Sequence, residues 1–506
     1  MTAMPAITRA AALALVACTA CAPTVLWTGR TADRRHRVDI VQGAGAQWVV
    51  VDGQRRAAYR GIAAWSLATG DGGRVVYAAR RGDRWVVVDG RPGPAFDGIG
   101  EIAVGAGGRL AYAAEREGRW QVIVDGDVAR APRWTAILSH TLAFSRDGAH
   151  LVYAAEDAAG AHVVVDGAVG PAWTGVGQLA MNDAGTHIAY AARRGRDAFA
   201  VIDGVAGPRF TNITQLTVAP RGARTAYLGH LDRATHVVVD GAAGPAHDGP
   251  VRALRVSADG AHVAHIATDG AGDRAMCDGA ELATAPPRAL IAASLVFVAA
   301  PGCALAYALD DPDGVRVVRA GVPGPIYDEI GELATSADGA HLGYAARRGA
   351  AWRVVIDGRE HDGGRWAESP VWSPDGARWG YLARRGDKAI AVVDGREFAF
   401  DIALDGTLAF SRDGRAWSIV AGDLARKELF FAIHGAIQGA IHGASQGASH
   451  GASHGAIDGT RRVPLPTIEL VSAAAQLSLD HPLLDPATPN VLGLWSAAEA
   501  DRARRD

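Results

Sequence analysis

Lysine is almost missing from this chain: Lys388 and Lys427 are the only two in 506 residues. Arginine supplies the remaining positive charge, and 51 basic against 54 acidic residues leave a net charge of −3. There is no global basic field, which argues against nucleic acid as a partner. The bias toward Arg, Ala and Gly reads as a nucleotide-composition effect and carries no function. Cysteine is also scarce, with Cys277 and Cys303 the only two expected in a folded body. The body shows no run with a helical period of 3.6, so units alternating strand and helix are not expected. The chain exceeds the ~250–300 residues at which single cores stop growing. With 49% hydrophobic and 21% charged residues it is too apolar to be disordered, so it is several domains or a repeat array.

A repeat is present. Asp-Gly, preceded by Val or Ile, recurs at Asp52, Asp89, Asp125, Asp166, Asp203, Asp240, Asp357 and Asp394, with degenerate copies at Asp278-Gly279 and Ala320-Gly321. The spacing is mostly about 37 residues, a period typical of repeat folds. Each unit splits into four short apolar runs divided by turn signals. The second run carries a recurrent Tyr (Tyr77, Tyr112, Tyr153, Tyr190, Tyr227, Tyr307, Tyr344, Tyr381). The fourth often opens with Gly-Pro and carries an aromatic such as Tyr59, Phe96, Trp173, Phe210 or Tyr327. Pro there suits an outer edge strand, where a missing N–H costs little. Four strands repeated at this interval describe one propeller blade, and stacking blades buries both faces.

The expected fold is therefore all-β, a β-propeller of about ten four-stranded blades, with one ring favoured and two smaller rings as the alternative. If there are two rings, the weak unit between Asp278 and Gly321, with Pro286-Pro287, is where they divide. The first unit lacks a first run, and Thr407–Ser411 is expected to supply it and close the ring. Units such as Ser373-Pro374-Asp375-Gly376 through Tyr381 resemble the WD40-like repeats of TolB-type bacterial propellers. The resemblance covers roughly residues 36–430 and implies a fold, because that family shares blades and not chemistry.

Both ends differ from the body. Arg9 and the apolar Ala10–Ala17 have the layout of a secretory signal too short to span a bilayer. Leu15-Val16-Ala17-Cys18 resembles the bacterial lipobox, which implies lipidation of Cys18 and stable anchoring by several acyl chains. Cleavage after Ala22 is the alternative. Thr19 weakly favours the outer membrane. The organisation expected is a signal peptide at 1–17, a lipid-anchored linker at 18–35, the propeller at 36–431, a low-complexity spacer at 432–462 and a tail at 463–506 in which Val491–Arg504 suits a short helix. The spacer cycles through Gly-Ala-Ile-His and Gly-Ala-Ser-His. Its His434, His442, His450 and His454 have nothing to orient them for a metal. Its three G-x-S-x-G matches, at Ser445, Ser449 and Ser453, lack the strand-to-helix elbow that a hydrolase needs.

Repetition also decides how the polar residues are read. His150, His187, His262 and His341 share one slot, which points to a structural task such as bonding a neighbouring blade. The Asp-Gly carboxylates are expected to bond nearby turn N–H groups. The Arg-Arg-Gly tips (Arg80, Arg81, Arg193, Arg194, Arg347, Arg348, Arg384, Arg385) belong to one turn type, hence one face of the disc. They are either solvated tips or an interaction ring for an acidic protein, a glycan or a lipid headgroup. The acidic tip Asp310-Asp311-Pro312-Asp313 interrupts them without the spacing of a calcium loop. Cys277 and Cys303 are a candidate disulfide across adjacent units. No catalytic residue, metal site or cofactor is expected. The expected function is a non-enzymatic cell-envelope lipoprotein that binds or scaffolds an envelope protein. A glycan- or small-molecule-binding propeller, enzymatic or not, with its site in the central channel is the alternative.

Overall fold

The computed structural model describes residues 23–31, 36–70, 74–286, 289–411, 414–423, 428–434 and 460–464. Strands dominate it and no α-helix occurs among the described residues. The strands form ten antiparallel sheets, and the sheet spanning Glu329–Phe400 holds two meanders joined by one parallel pair, Gly364↔Arg384. This gives eleven four-stranded units in chain order. The fifth is typical: Gly175–Met181, Ile188–Arg194, Asp197–Ile202 and Val205–Phe210. The fold is the all-β array of four-stranded blades that the repeat implies.

Ten units carry the Asp-Gly rhythm or its degenerate copies, and the eleventh lacks it. Its second strand, Trp417–Asp423, pairs with Glu428–His434, which pairs in turn with Thr460–Pro464. The low-complexity tract at 435–459 thus lies in a third-to-fourth strand connection and outside the described residues. Strand pairing extends past residues 36–431 at both ends, because Thr24–Arg30 pairs with Arg37–Gly43 as the first strand of unit 1. The shared closing blade is accordingly not what forms. Unit 1 has its own first strand, and Ala409–Phe410 pairs with Trp417–Asp423 inside unit 11. The leader, Cys18 and residues 465–506 lie outside the described residues.

The core is distributed between the units. Ten buried apolar clusters each join two consecutive units, one per junction from unit 1 to unit 11. The recurrent Tyr of the second strand explains part of this. At four junctions it meets, edge to face, the aromatic of the preceding unit's fourth strand: Tyr59–Tyr77, Phe96–Tyr112, Phe210–Tyr227 and Tyr327–Tyr344, with ring centroids 6.1–6.3 Å apart. Such pairs contribute roughly 0.5–1.5 kcal/mol beyond the area they bury. Packing is unbroken through the weak region: Ala264, Ile266 and Cys277 of unit 7 share one cluster with Leu290, Leu305 and Tyr307 of unit 8. The array does not divide between Asp278 and Gly321.

Candidate functional site

The Asp of each Asp-Gly turn has φ near +50° at most units (Asp52, Asp125, Asp166, Asp203, Asp240, Asp278, Asp357, Asp394), and the following Gly is also positive. This is the hairpin geometry that Asp-Gly favours. The local N–H bonding expected of Asp-Gly turns is found in the first hairpins, where Asp147, Asp259, Asp338 and Asp375 accept the N–H two residues on, but the carboxylates of the turns after the third strand reach elsewhere. One oxygen accepts the backbone N–H fifteen residues earlier, at the head of the second strand, as from Leu151 to Asp166 (2.8 Å) and from Ile188 to Asp203 (2.8 Å). The other oxygen takes the residue before that: His36–Asp52, His150–Asp166, His187–Asp203, His262–Asp278 and His341–Asp357, at 2.6–2.7 Å. Arginine fills the same slot in other units, as in Arg74–Asp89, Arg109–Asp125, Arg224–Asp240 and Arg378–Asp394.

These latches also reach the next unit. His187 contacts the Thr225 hydroxyl (2.8 Å), Arg74 donates to the Gly108 carbonyl and Arg109 to that of Gly148. The repeated His and Asp side chains are thus consumed by blade geometry. Unit 8 has lost its latch, with Ala304 and Ala320 in the two slots and Ala320 left at φ 48°.

Four polar side chains on the inner-strand segments are likewise engaged. Glu101 accepts the N–H groups of Thr141 and Leu142, Gln178 bonds both N–H and carbonyl of Leu216, Gln215 accepts from Leu254, and Glu368 accepts from Gly406. Each reaches forward to the following unit's inner strand. Burial raises the Glu368 carboxyl to about 7 despite that N–H, and it raises Glu101 in the same direction. The sequence gives little sign of this ladder, because bulges shift register on these short strands, as between Val176 and Leu179.

The Arg-Arg tips all lie at second-strand ends, but they are not equivalent. In units 9 and 10 carboxylates neutralise them: Arg347 with Glu329, Arg348 with Glu360, Arg384 with Asp405, and Arg385 with Asp362 and Glu397. In unit 5, Arg193 donates to the Asn212 amide oxygen and Arg194 covers the Trp173 ring. In unit 2, Arg80 lies by Trp85 and Arg81 is exposed. Among the described residues no carboxylate lies in ion-pair range of Arg80, Arg81, Arg193 or Arg194. The corresponding tips of units 4 and 8 are acidic, Glu156-Asp157 and Asp310-Asp311, with Asp311 paired to Arg316. The arginines therefore form no continuous basic ring.

What remains is a local basic patch at the junction of units 1 and 2. The Arg60 N–H bonds the Arg80 carbonyl (3.2 Å), which brings the two strand ends together. Burial raises the Tyr59 and Tyr77 hydroxyls, and the Arg81 charge opposes this at Tyr59 as the Arg56 charge does at Tyr77. Arg60 has one weak partner, Asp83 at 3.6 Å, with both side chains largely in water. Arg55 stacks on Trp48 at 3.5 Å. Trp65, on the inner-strand segment of unit 2, is 66% exposed, a residue that sequence reading passed over because it resembles any other first-run apolar residue.

Two departures from the repeat stand at units 7 and 8. The Tyr slot of unit 7 is His265, buried to 4% exposure, and it meets His247 edge to face at 5.4 Å. Neither ring nitrogen of His265 has a hydrogen-bond partner, and burial, with the neighbouring His247, lowers it to about 4. Cys277 and Cys303 form a disulfide with Cα atoms 6.3 Å apart, tying unit 7 to unit 8.

No family model matches the chain, and no curated protein matches it. Solved structures similar to it include TolB from Acinetobacter baumannii at 13% identity, covering 56% of this chain and 76% of that one, with a TM-score of 0.22. The Dos1 propeller is similar at 11% identity over 66% and 90%, with a TM-score of 0.28. An oligogalacturonate lyase in complex with manganese is similar at 12% over 62% and 82%, with a TM-score of 0.27. Likenesses this distant assign no partner, ligand or reaction to this chain.

Proposed function

We propose that this chain is a non-enzymatic scaffold of the cell envelope, lipidated at Cys18, that docks an acidic segment of another envelope protein on the arginines of units 1 and 2. The observation that carries this reading is the contrast among chemically identical tips. Arg347, Arg348, Arg384 and Arg385 are neutralised by carboxylates of their own or adjacent blades, whereas Arg80 and Arg81 stand exposed at the same junction as Arg56 and Arg60. Uncompensated guanidinium groups favour planar, bidentate recognition of carboxylates, and Arg and Trp are enriched among interface anchors. The repeated His, Asp, Glu and Gln side chains support the same reading, because their polar atoms hold neighbouring backbone.

Photo-crosslinking in intact cells tests it. A crosslinker at Arg81 is expected to capture one protein through an Asp- or Glu-rich segment, and R56E/R60E/R80E/R81E should abolish capture at unchanged stability. Equal capture from a crosslinker at Arg348 would refute the patch as the docking site. A second reading, a glycan held by the inner strands, rests on exposed Trp65, whose indole face suits a sugar ring. It predicts oligosaccharide binding that W65A removes and the Arg substitutions leave intact.

A further inference from the structure

Four potential metal ligands meet once in the described array, at the junction of units 7 and 8. The Cys277 and Cys303 sulfurs, an imidazole nitrogen of His262 and a carboxylate oxygen of Asp278 all lie within 4.8 Å of one another. Two of these are the ordinary latch, His262 Nδ1 to Asp278 at 2.6 Å, found with the same geometry at His150, His187 and His341. The sulfurs are what is new. The residue before the Asp-Gly turn is Val or Ile in the other eight units that keep that pair, but Cys277 here. The residue before the latch slot is Arg35, Gly73, Gly108, Thr186 or an Ala in the other latch-bearing units, but Cys303 stands there in unit 8. Two independent slots, facing each other across one junction, have both changed to thiols beside a preformed imidazole–carboxylate pair.

We propose that these four residues form a redox-gated site for a thiophilic divalent cation of the zinc type, closed in the disulfide form and opened by reduction. Zinc takes Cys sulfur, His nitrogen and carboxylate oxygen in tetrahedral sites, with bonds of about 2.0–2.3 Å and hence ligand–ligand edges of about 3.3–3.8 Å. Once the S–S bond breaks, the two sulfurs must separate by about 1.7 Å, and the imidazole and carboxylate atoms, within 4.8 Å of them, need shift by only about 1 Å to reach that geometry. Opening consumes two electrons and two protons from an external dithiol. The Cys277–Cys303 S–S bond breaks, two S–H groups form, and the dithiol becomes a disulfide. When the cation enters, both thiol protons pass to solvent, and the sulfurs, now thiolates, bind it together with the imidazole and carboxylate. The site stands apart from the basic patch, so this proposal and the docking reading succeed or fail separately.

The test uses the whole chain, reduced with a dithiol, desalted without oxygen and titrated with Co²⁺. One equivalent is expected to bind with sulfur-to-cobalt charge-transfer absorption and intense tetrahedral visible bands, which added Zn²⁺ displaces. The disulfide form should show neither. Cys303→Ser should weaken the sulfur band, C277S/C303S should abolish it, and His262→Ala and Asp278→Asn, each removing a ligand, should weaken binding by about tenfold or more. His187→Ala, the same latch in another unit, should leave cobalt binding unchanged. The proposal is overturned by a reduced chain that gives no sulfur band, by bands that persist in C277S/C303S, or by reduction that unfolds the chain without rescue by the cation. As a second measure, bound Zn²⁺ should slow re-formation of the disulfide by oxidant at least tenfold, and an unchanged rate would contradict it.

Discussion

Junctions 5/6 and 6/7 share a backbone plan and differ in chemistry. At the first, Phe210 meets Tyr227, Gln178 clasps Leu216, and His187 bridges Asp203 and Thr225. At the second, the aromatic pair has become His247 and His265, and the buried His265 ring hydrogen-bonds nothing. The array remains continuous through both, because every junction has a core of its own, as nearest-neighbour stacking of repeats requires. A repeat protein can therefore lose a stabilising pair at one junction and retain the fold. At junctions 6/7 and 7/8 the chemistry that the repeat does not prescribe coincides with such losses.

The comparison can be broken most severely at the regular junction. Tyr227→Ala should cost about 3–5 kcal/mol, the ordinary penalty for emptying a large core side chain, seen as a lower midpoint in denaturant. His265→Phe should act in the opposite direction at junction 6/7 by removing two buried polar atoms without partners, each costing about 1–3 kcal/mol, less whatever misfit the new ring introduces. Its benefit should grow in acid. The folded pKa of His265 lies near 4, below its unfolded value of 6.5. The unfolded chain then binds more protons in that window, and stability falls as pH drops from about 6.5 toward 4. Thermal melts at pH 7 and pH 5 should show this acid loss in the native chain and little of it in the variant.

Glu368→Gln sharpens the comparison at the inner ladder, where Gln178 and Gln215 already do the same work. Because the folded carboxyl lies near 7, above its unfolded value of 4.5, its contribution falls as pH rises through that window. The substitution should raise stability by roughly 1–2 kcal/mol at pH 8 and change it little at pH 4.5. The smallest effect is expected at unit 8. There Ala320→Gly relieves an alanine held at φ 48° and should gain about 1 kcal/mol or less, read from the same denaturant curves.

The four-run unit, the Tyr slot and the fourth-strand aromatic are plain in the sequence, since strand alternation and Asp-Gly turns write them locally. That Phe210 and Tyr227 touch is not written there, because they belong to different blades. The His slot is legible by repetition, but its Asp partner sixteen residues on is not, since a turn Asp ordinarily bonds its own loop. Unit 11 escapes notice because the 435–459 tract separates its last two strands. Charge compensation at Arg385 depends on Asp362 and Glu397, contributed by neighbouring strands, so eight identical Arg residues look alike until they are folded.

The central claim is that each junction is held by its own contacts and that the break in the repeat at His265 is local. Hydrogen exchange by mass spectrometry at pH 7 and pH 5, corrected for intrinsic rates, tests it directly. Protection at pH 7 should cover the second and third strands of every unit. At pH 5 it should fall first in Thr225–Leu231 and Val263–Asp269, which flank junction 6/7, while units 2–4 hold. Uniform loss along the array, or loss beginning at a junction with an intact Tyr pair, would contradict it.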